Sequence, residues 1–334
     1  MTLAQVTSGL LAHTTTWINL HDDELKRRAT LAARDKDATA LTDLSVAYLA
    51  HLGGSGVLTS PKTIEAYRIG IRQYVAHTQA HAIGILRPSR HAPQHYVSSL
   101  LAQGRKPASV QLKIAAARCL YRALRWADAT EADPFKDVRI PKDHTTGLEK
   151  RPPYTEQDIE RVLDHASPHD RFLLLLTAHA GLRIAEALAL TWADFDLERR
   201  RLRVTGKGRK SRTVPMSARL VEAATQYRTL YGPGGESHQH DENGQRRRTT
   251  PHLQAFRYRT VQNAVHAMKT PFAQAGVPWR GFHAARKHAG TKLLKRTGDL
   301  ATVAAFLGHS SVDTTRNSYA AVASDAASDA MHDW

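Results

Sequence analysis

Four short segments carry side chains whose types and spacing suit chemistry on a phosphodiester. In "AGLRIAEAL", Arg183 follows a helix-ending glycine, and Ile184, Leu188 and Leu190 bury the short helix that comes next. A guanidinium held rigidly there offers a fork to two phosphate oxygens. In "VTGKGRKSRTVP", Lys207 stands between two glycines at a hairpin tip, where the backbone can approach a ligand closely. Arg209, Lys210 and Arg212 beside it suit contacts to a phosphate backbone, and the spacing is not that of a Walker A loop. In "FHAARKHAG", His283 and Arg286 share a helical face, so one titratable group and one permanent cation address a common spot. In "FLGHSSVDTTRNSYA", His309 follows Gly308, and Tyr319 comes ten residues later, beyond a short polar helix. Taken singly, each segment has an ordinary reading: a surface arginine, a solvated turn, a structural histidine, a core tyrosine.

The elements that must hold these residues fall into two halves, as 334 residues suit about two domains of roughly 150 each. Residues 1–40, with the charged run "HDDELKRRATLAARDKD", read as an N-terminal arm or peripheral helices. A helical domain is expected over 41–133. Leu41, Leu44, Tyr48, Leu49 and Leu52 share one face before "GGSG" breaks the helix. Ser60-Pro61 then caps a helix whose Ile64, Tyr67, Ile71, Tyr74 and Val75 form a stripe. A third helix runs from near Ser109 to Trp126. Residues 134–153, rich in Pro, Gly and charge, read as a linker. From 154 to 334 the chain is expected to form a mostly α domain with a small antiparallel sheet, its strands near 201–205 and 211–215. "YGPGGESHQHDENGQRRRTTP" is too polar to pack and reads as a mobile loop.

Composition narrows the partner. With 47 Lys+Arg against 31 Asp+Glu, a net charge of +16 favours a polyanion, with nucleic acid first among them. The single cysteine, Cys119, lies among apolar residues at helical spacing, which excludes a disulfide framework and fits a reducing cytosol. The N-terminus lacks the basic region of a signal peptide, and "FLLLLTAHAGL" is too short to cross a bilayer.

In order and spacing the four segments resemble the boxes of the tyrosine recombinase (phage integrase) family, particularly its Xer-like members. Those boxes read A-G-L-R-[IV]-x-E-x-x-x-L, then G-K-G-x-K-x-R-x-V-P, H-x-x-R, L-G-H-[SA], and a tyrosine nine or ten residues on. "SPKTIEAYRIGIRQYVAH" and "KPASVQLKIAAARCLYRALRWADATEADPF" are similar to helix starts of the family's core-binding domain. The chain departs at Ala285, where the family usually has Leu, and at "KHAGTKLL", where an H-T-F-A-T-like continuation is usual.

The resemblance implies an integrase fold: an all-helical DNA-binding domain and a mainly α catalytic domain with a small antiparallel sheet, clamping DNA between them. It implies a site-specific recombinase that cuts and rejoins DNA strands through a 3′-phosphotyrosyl link, without metal or ATP. In that scheme Tyr319 is the nucleophile, Arg183 and Arg286 clamp the phosphate, and His283 is the general base. Lys207 is the general acid for the leaving 5′-oxygen, and His309 bonds a non-bridging oxygen. Lys62, Arg118, Arg209, Lys210 and Arg212 are assigned to DNA contacts. No cofactor is expected: no ATP motif or Mg²⁺-suited carboxylate cluster accompanies the boxes, and His238 and His240 have no Cys partner for zinc. The expected partners are double-stranded DNA with a specific site and further copies of the chain, a dimer per site and a tetramer in synapsis, in the cytoplasm at the nucleoid. The rival readings are a type IB topoisomerase-like nicking-closing enzyme and a non-catalytic DNA-binding protein of the same fold.

Overall fold

A computed structural model of the chain describes residues 15–53, 60–141, 151–206, 211–232, 238–240, 246–248, 255–256, 258, 260–309, 315–316 and 319. The chain divides into two compact units, Met1–His144 and Thr145–Trp334.

Among the described residues the first unit is built on the helices α1 Asp22–Arg34, α2 Ala38–Leu52, α3 Pro61–Ala80, α4 Ala92–Ala102 and α5 Pro107–Trp126. Their starts are chemically marked. Asp37 caps α2 by accepting from the amides of Thr39 and Ala40, and Ser60 accepts from Thr63 with Pro61 at the first turn of α3. Leu41, Leu44, Ile71, Tyr74, Val110, Ile114 and Leu120 are buried among a common core. A side chain at Gly70 would meet Ala116 Cβ at 2.5 Å, so its absence lets α3 and α5 approach closely. The Cys119 thiol is buried and pushed up to about 12 by that burial, the behaviour of an inert core residue.

Three features of this unit differ from the sequence expectation. Leu52, placed on the inward stripe of α2, is exposed, because the stripe leaves the core at the last turn. The helix α4 has no counterpart in the sequence reading; it is short, and its N-cap is His91, which makes no side-chain cap, rather than a Ser, Thr, Asp or Asn. Phe135, assigned to the linker, is fully buried between Tyr74 and Tyr121, with ring centroids at 5.3 and 5.8 Å. An aromatic surface of that size outweighs the polar residues flanking it. Residues 142–150 of the expected linker lie outside the described residues.

The second unit begins with α6 Glu156–His165 and α7 Pro168–Ala178. A reciprocal capping box between Thr155 and Asp158 starts α6. Phe172 to Ala178 are all buried, as expected for a helix that is apolar on every side and central to its domain. The short α8 Ile184–Ala189 leads into an antiparallel sheet of β1 Phe195–Asp196, β2 Arg201–Thr205 and β3 Ser211–Pro215. Leu202 opposite Val214 and Val204 opposite Arg212 set the register, with Leu202, Val204 and Val214 facing the core. Then follow α9 Ala218–Tyr231, the pair β4 His238–His240 and β5 Arg246–Arg248, α10 Val261–Gln274, α11 Phe282–Thr297 and α12 Leu300–Leu307. Backbone pairing of β4 with β5 replaces a wholly irregular loop over part of the polar 232–250 segment. Among the described residues no helix is long and apolar enough to cross a membrane.

Candidate active site

The site is organised by one carboxylate, Glu186, three residues into the segment that Arg183 opens. Arg183 stands at the N-cap of α8, and its amide donates to Glu186 Oε2 at 3.0 Å. Its guanidinium reaches the other carboxylate oxygen, Nη1 to Oε1 at 2.7 Å. From β3, Arg212 donates Nη2 to Oε2 at 2.9 Å, and Arg286 Nη1 on α11 comes within 3.8 Å of the same oxygen. Burial would raise the Glu186 carboxyl, yet the hydrogen bonds from Arg212 and then Arg183 overcome it and hold it near about 2. Three guanidiniums are thereby gathered about one permanent anion.

The same three arginines grip the end of α12. Arg212 Nε donates to the carbonyl of Phe306 at 3.2 Å, Arg286 Nη2 to Leu307 at 2.6 Å and Arg183 Nη2 to Gly308 at 3.3 Å. Successive carbonyls at a helix C-terminus carry partial negative charge and lack partners within the helix, so cations complement them. Gly308 adopts φ +65°, and a Cβ there would press on the Arg212 guanidinium at 2.8 Å. Both demands select glycine before His309. Arg286 also donates to the carbonyl of Gly181, whose φ of +62° turns the chain between α7 and α8.

The histidines stand in this field. His309 Nδ1 and the Thr315 hydroxyl share a hydrogen bond at 2.7 Å. Burial first, then the charges of Arg286 and Arg183, hold His309 down to about 4. His283 is held at about 4 as well, by partial desolvation and then by Lys287, Arg286, Arg151 and Arg183. Both rings are neutral at pH 7.

Tyr319 lies in a small apolar nest with Leu294, Val303 and Leu307 and is 2% exposed. Its hydroxyl rests against α11 at Gly290, where a Cβ would collide with it. Burial pushes the phenol up to about 12, while the nearby charge of Arg286 pulls the other way.

The structure thus brings Arg183, His283, Arg286, His309 and Tyr319 into one electrostatic neighbourhood. Lys207, Arg209 and Lys210 lie outside the described residues. Arg212, read from the sequence as a phosphate contact, turns its guanidinium to Glu186 and Phe306 here, with a side chain 16% exposed. Lys62 is exposed on the first turn of α3. Arg118 is half-buried, and its Nε donates to the carbonyl of Phe135 at 3.1 Å, which ties down the segment after α5. The sequence reading gave no role to Glu186 or Thr315; the visible signal for Glu186 was an acidic residue at the third helical position after Arg183. Ala285, the departure before Arg286, is fully buried in the core.

A mainly helical domain with a three-stranded sheet, presenting clustered arginines and histidines beside a tyrosine, defines a class that comparison with known proteins names. Residues 154–325 match the phage integrase family, and residues 46–128 match the phage integrase N-terminal SAM-like domain. A tyrosine recombinase XerC of Rhizobium meliloti is 32% identical, over 77% of this chain and 82% of its own. A tyrosine recombinase XerC of Chlorobaculum parvum is 29% identical, over 80% of this chain and 87% of its own. Among solved structures, the Tn1549 transposon integrase in complex with transposon right end DNA superposes with a TM-score of 0.62 at 17% identity, covering 87% of this chain and 98% of that one. The chain belongs to the phage integrase family. It is a tyrosine recombinase enzyme of site-specific DNA recombination, and neither the topoisomerase-like nor the non-catalytic reading is favoured.

Proposed function

We propose that Tyr319 cleaves double-stranded DNA by attacking a phosphodiester, with Arg183, Arg286, His283, His309 and Lys207 as the supporting groups. The Tyr319 oxygen forms a bond to phosphorus as the bond from phosphorus to the 5′-oxygen breaks, leaving a 3′-phosphotyrosyl link and a free 5′-hydroxyl. Little bond energy is lost, so another strand's 5′-hydroxyl can reverse the step and no ATP is needed. Arg183, with its side chain 45% exposed, offers outer N–H groups to the non-bridging oxygens, while Arg286 supplies charge from beneath. His309 donates to the same oxygens. Lys207 protonates the departing 5′-oxygen, which leaves poorly as an alkoxide.

The observation that carries this reading is the set of three guanidiniums fixed by Glu186 next to a tyrosine whose phenol feels the Arg286 charge. Two consequences follow from it. The Tyr319 hydroxyl rests against Gly290, so the segment bearing it must shift before attack. His283 is depressed by desolvation first and then by cations, and an arriving phosphodiester would neutralise those cations and so offset part of the depression in the group that takes the phenol proton.

The net charge of +16 supports DNA as the partner, and Lys62 with the hairpin residues Arg209 and Lys210 are assigned to its backbone. Arg118 is assigned to it through whichever guanidinium nitrogens Phe135 leaves free. By resemblance the chain binds one site as a dimer, pairs two sites as a tetramer, and works in the cytoplasm at the nucleoid.

The test is covalent capture on a nicked duplex selected for binding from a random-sequence pool. A denaturation-resistant adduct should form, persist in EDTA, and disappear in Tyr319→Phe while binding remains. An adduct mapping to any other residue would overturn the assignment.

A further inference from the structure

On the first unit, apart from every group assigned to strand cleavage, three imidazoles meet. His77 and His81 lie one turn apart near the end of α3, and His95 comes from the start of α4. One ligand nitrogen from each lies within 4.8 Å of the other two, and among the described residues no other trio of His, Cys, Asp or Glu gathers in this way. The ring centroids are 4.4 Å apart for His77 and His81, 5.4 Å for His77 and His95, and 4.8 Å for His81 and His95. Nε2 of His77 is buried without a hydrogen-bond partner, as is the hydroxyl of Tyr96, whose ring sits 4.7 Å from that of His77. A buried polar atom left unpaired is costly and calls for a partner outside the chain. A cavity of about 340 Å³ opens beside His77 and His81, lined also by Gln73, Ser99, Arg105 and Lys113.

We propose that His77, His81 and His95 bind one divalent transition-metal ion of the zinc type, which would tie α3 to α4. Imidazole nitrogens suit zinc, cobalt, nickel and copper, whereas Mg²⁺ and Ca²⁺ seek oxygen ligands. Two histidines at i and i+4 share one helix face, and a third from a neighbouring element completes a three-ligand set with a fourth position open to water. Zinc–nitrogen bonds of about 2.0–2.1 Å place tetrahedral nitrogens roughly 3.3 Å apart. The trio therefore has to close by about 1.5 Å at most, which side-chain rotation of the exposed His81 and His95 can supply.

The rival occupant is an anion such as phosphate, because Arg105 and Lys113 also face the cavity. Imidazoles would have to be protonated to hold an anion by charge, and three protonated rings at this spacing repel one another. The same two cations, with no carboxylate in the set, weaken the attraction for a dication. Since all three ligands belong to the first unit, the ion would stabilise that unit and take no part in the phosphoryl chemistry.

The experiment uses the untagged full-length chain, stripped with a chelator and titrated with Co²⁺ as a spectroscopic probe. One Co²⁺ should bind with a visible d–d band of nitrogen-ligated geometry, and Zn²⁺ should displace it. Saturating Zn²⁺ should raise the melting midpoint of the first unit by about 5 °C or more. His81→Gln and His95→Gln, chosen because both residues are exposed, should each weaken Co²⁺ binding at least tenfold while melting as the wild type does without metal. The double variant His238→Gln/His240→Gln should bind normally, which separates the trio from the histidine pair of the polar segment. Absence of micromolar Co²⁺ binding, binding indifferent to His81→Gln and His95→Gln, or a midpoint raised by inorganic phosphate rather than zinc would each overturn the proposal.

Discussion

Replacing Glu186 with Gln tests whether one carboxylate assembles the arginine cluster. The side chain is 7% exposed and accepts from Arg183 and Arg212, with Arg286 close by. A carboxyl held near about 2 in place of 4.5 stabilises the folded state by about 3 kcal/mol at pH 7, at 1.36 kcal/mol per pH unit. Removing one member of a buried charge pair costs about 3–5 kcal/mol by an independent route, so the two magnitudes agree. The sign fixes a pH window. A depressed carboxyl gives its full stabilisation above the unfolded value of 4.5 and loses it as pH falls toward about 2. Urea titrations of wild type and Glu186→Gln, followed by the fluorescence of Trp192 and Trp279 in the second unit, should differ by about 3 kcal/mol at pH 7 and by about half that or less at pH 3. A difference below about 1 kcal/mol at pH 7, or one that stays constant down to pH 3, would refute the role given to Glu186. Strand cleavage should fall with it, because Arg183 loses the partner that orients its fork.

Two further outcomes bear on the chemistry. Gly290→Ala should push the Tyr319 hydroxyl out of its nest; spectrophotometric titration, with Gly290→Ala/Tyr319→Phe as the blank, should show that phenol falling from about 12 toward its ordinary 10.0, and an unchanged titration would refute the packing argument. Lys207→Ala should slow cleavage by about 10²–10⁴-fold on ordinary DNA and by little when sulfur replaces the bridging 5′-oxygen, whereas Arg183→Ala should stay slow on both; equal rescue of both variants would move the acid elsewhere.

What the sequence made legible was set by how local each signal is. The strands 201–205 and 211–215 could be placed because the alternation of Leu202 and Val204, then the return at Val214, is a period of two broken by a glycine-rich turn. The start of α3 could be placed because Ser60-Pro61 is a cap and a first-turn residue in sequence. Phe135 could not be placed in a core, since its partners Tyr74 and Tyr121 come from two distant helices. The site divides the same way. Arg183, His283, Arg286, His309 and Tyr319 sit in recognisable boxes, but what Arg212 does depends on Glu186 and Phe306, 26 and 94 residues away. From the hairpin alone, Arg212 is one more basic residue in a basic turn. The sequence reading gives no role to His77 and His81, two histidines one helical turn apart, because the pair acquires meaning only when α4 delivers His95.

The arginine cluster joins stability and reactivity in one set of bonds. The three guanidiniums that Glu186 gathers also hold the carbonyls of Phe306, Leu307 and Gly308, and the segment they hold leads directly to His309 and Tyr319. On the proposed assignment, a phosphodiester entering the cluster competes with those carbonyls for the same N–H groups. Arg183 has the longest of the three carbonyl contacts, at 3.3 Å, and the most exposed side chain, at 45%, so it is the first to exchange a carbonyl for a phosphate oxygen. Loosening at Gly308 lies next to His309 and ahead of the tyrosine. On that assignment the ligand that needs the nucleophile weakens the hold on the segment that carries it, while its charge offsets the part of the His283 depression that the cations cause. Binding and release of Tyr319 are, on that assignment, coupled chiefly through Arg183, whose guanidinium both holds the Gly308 carbonyl and faces solvent.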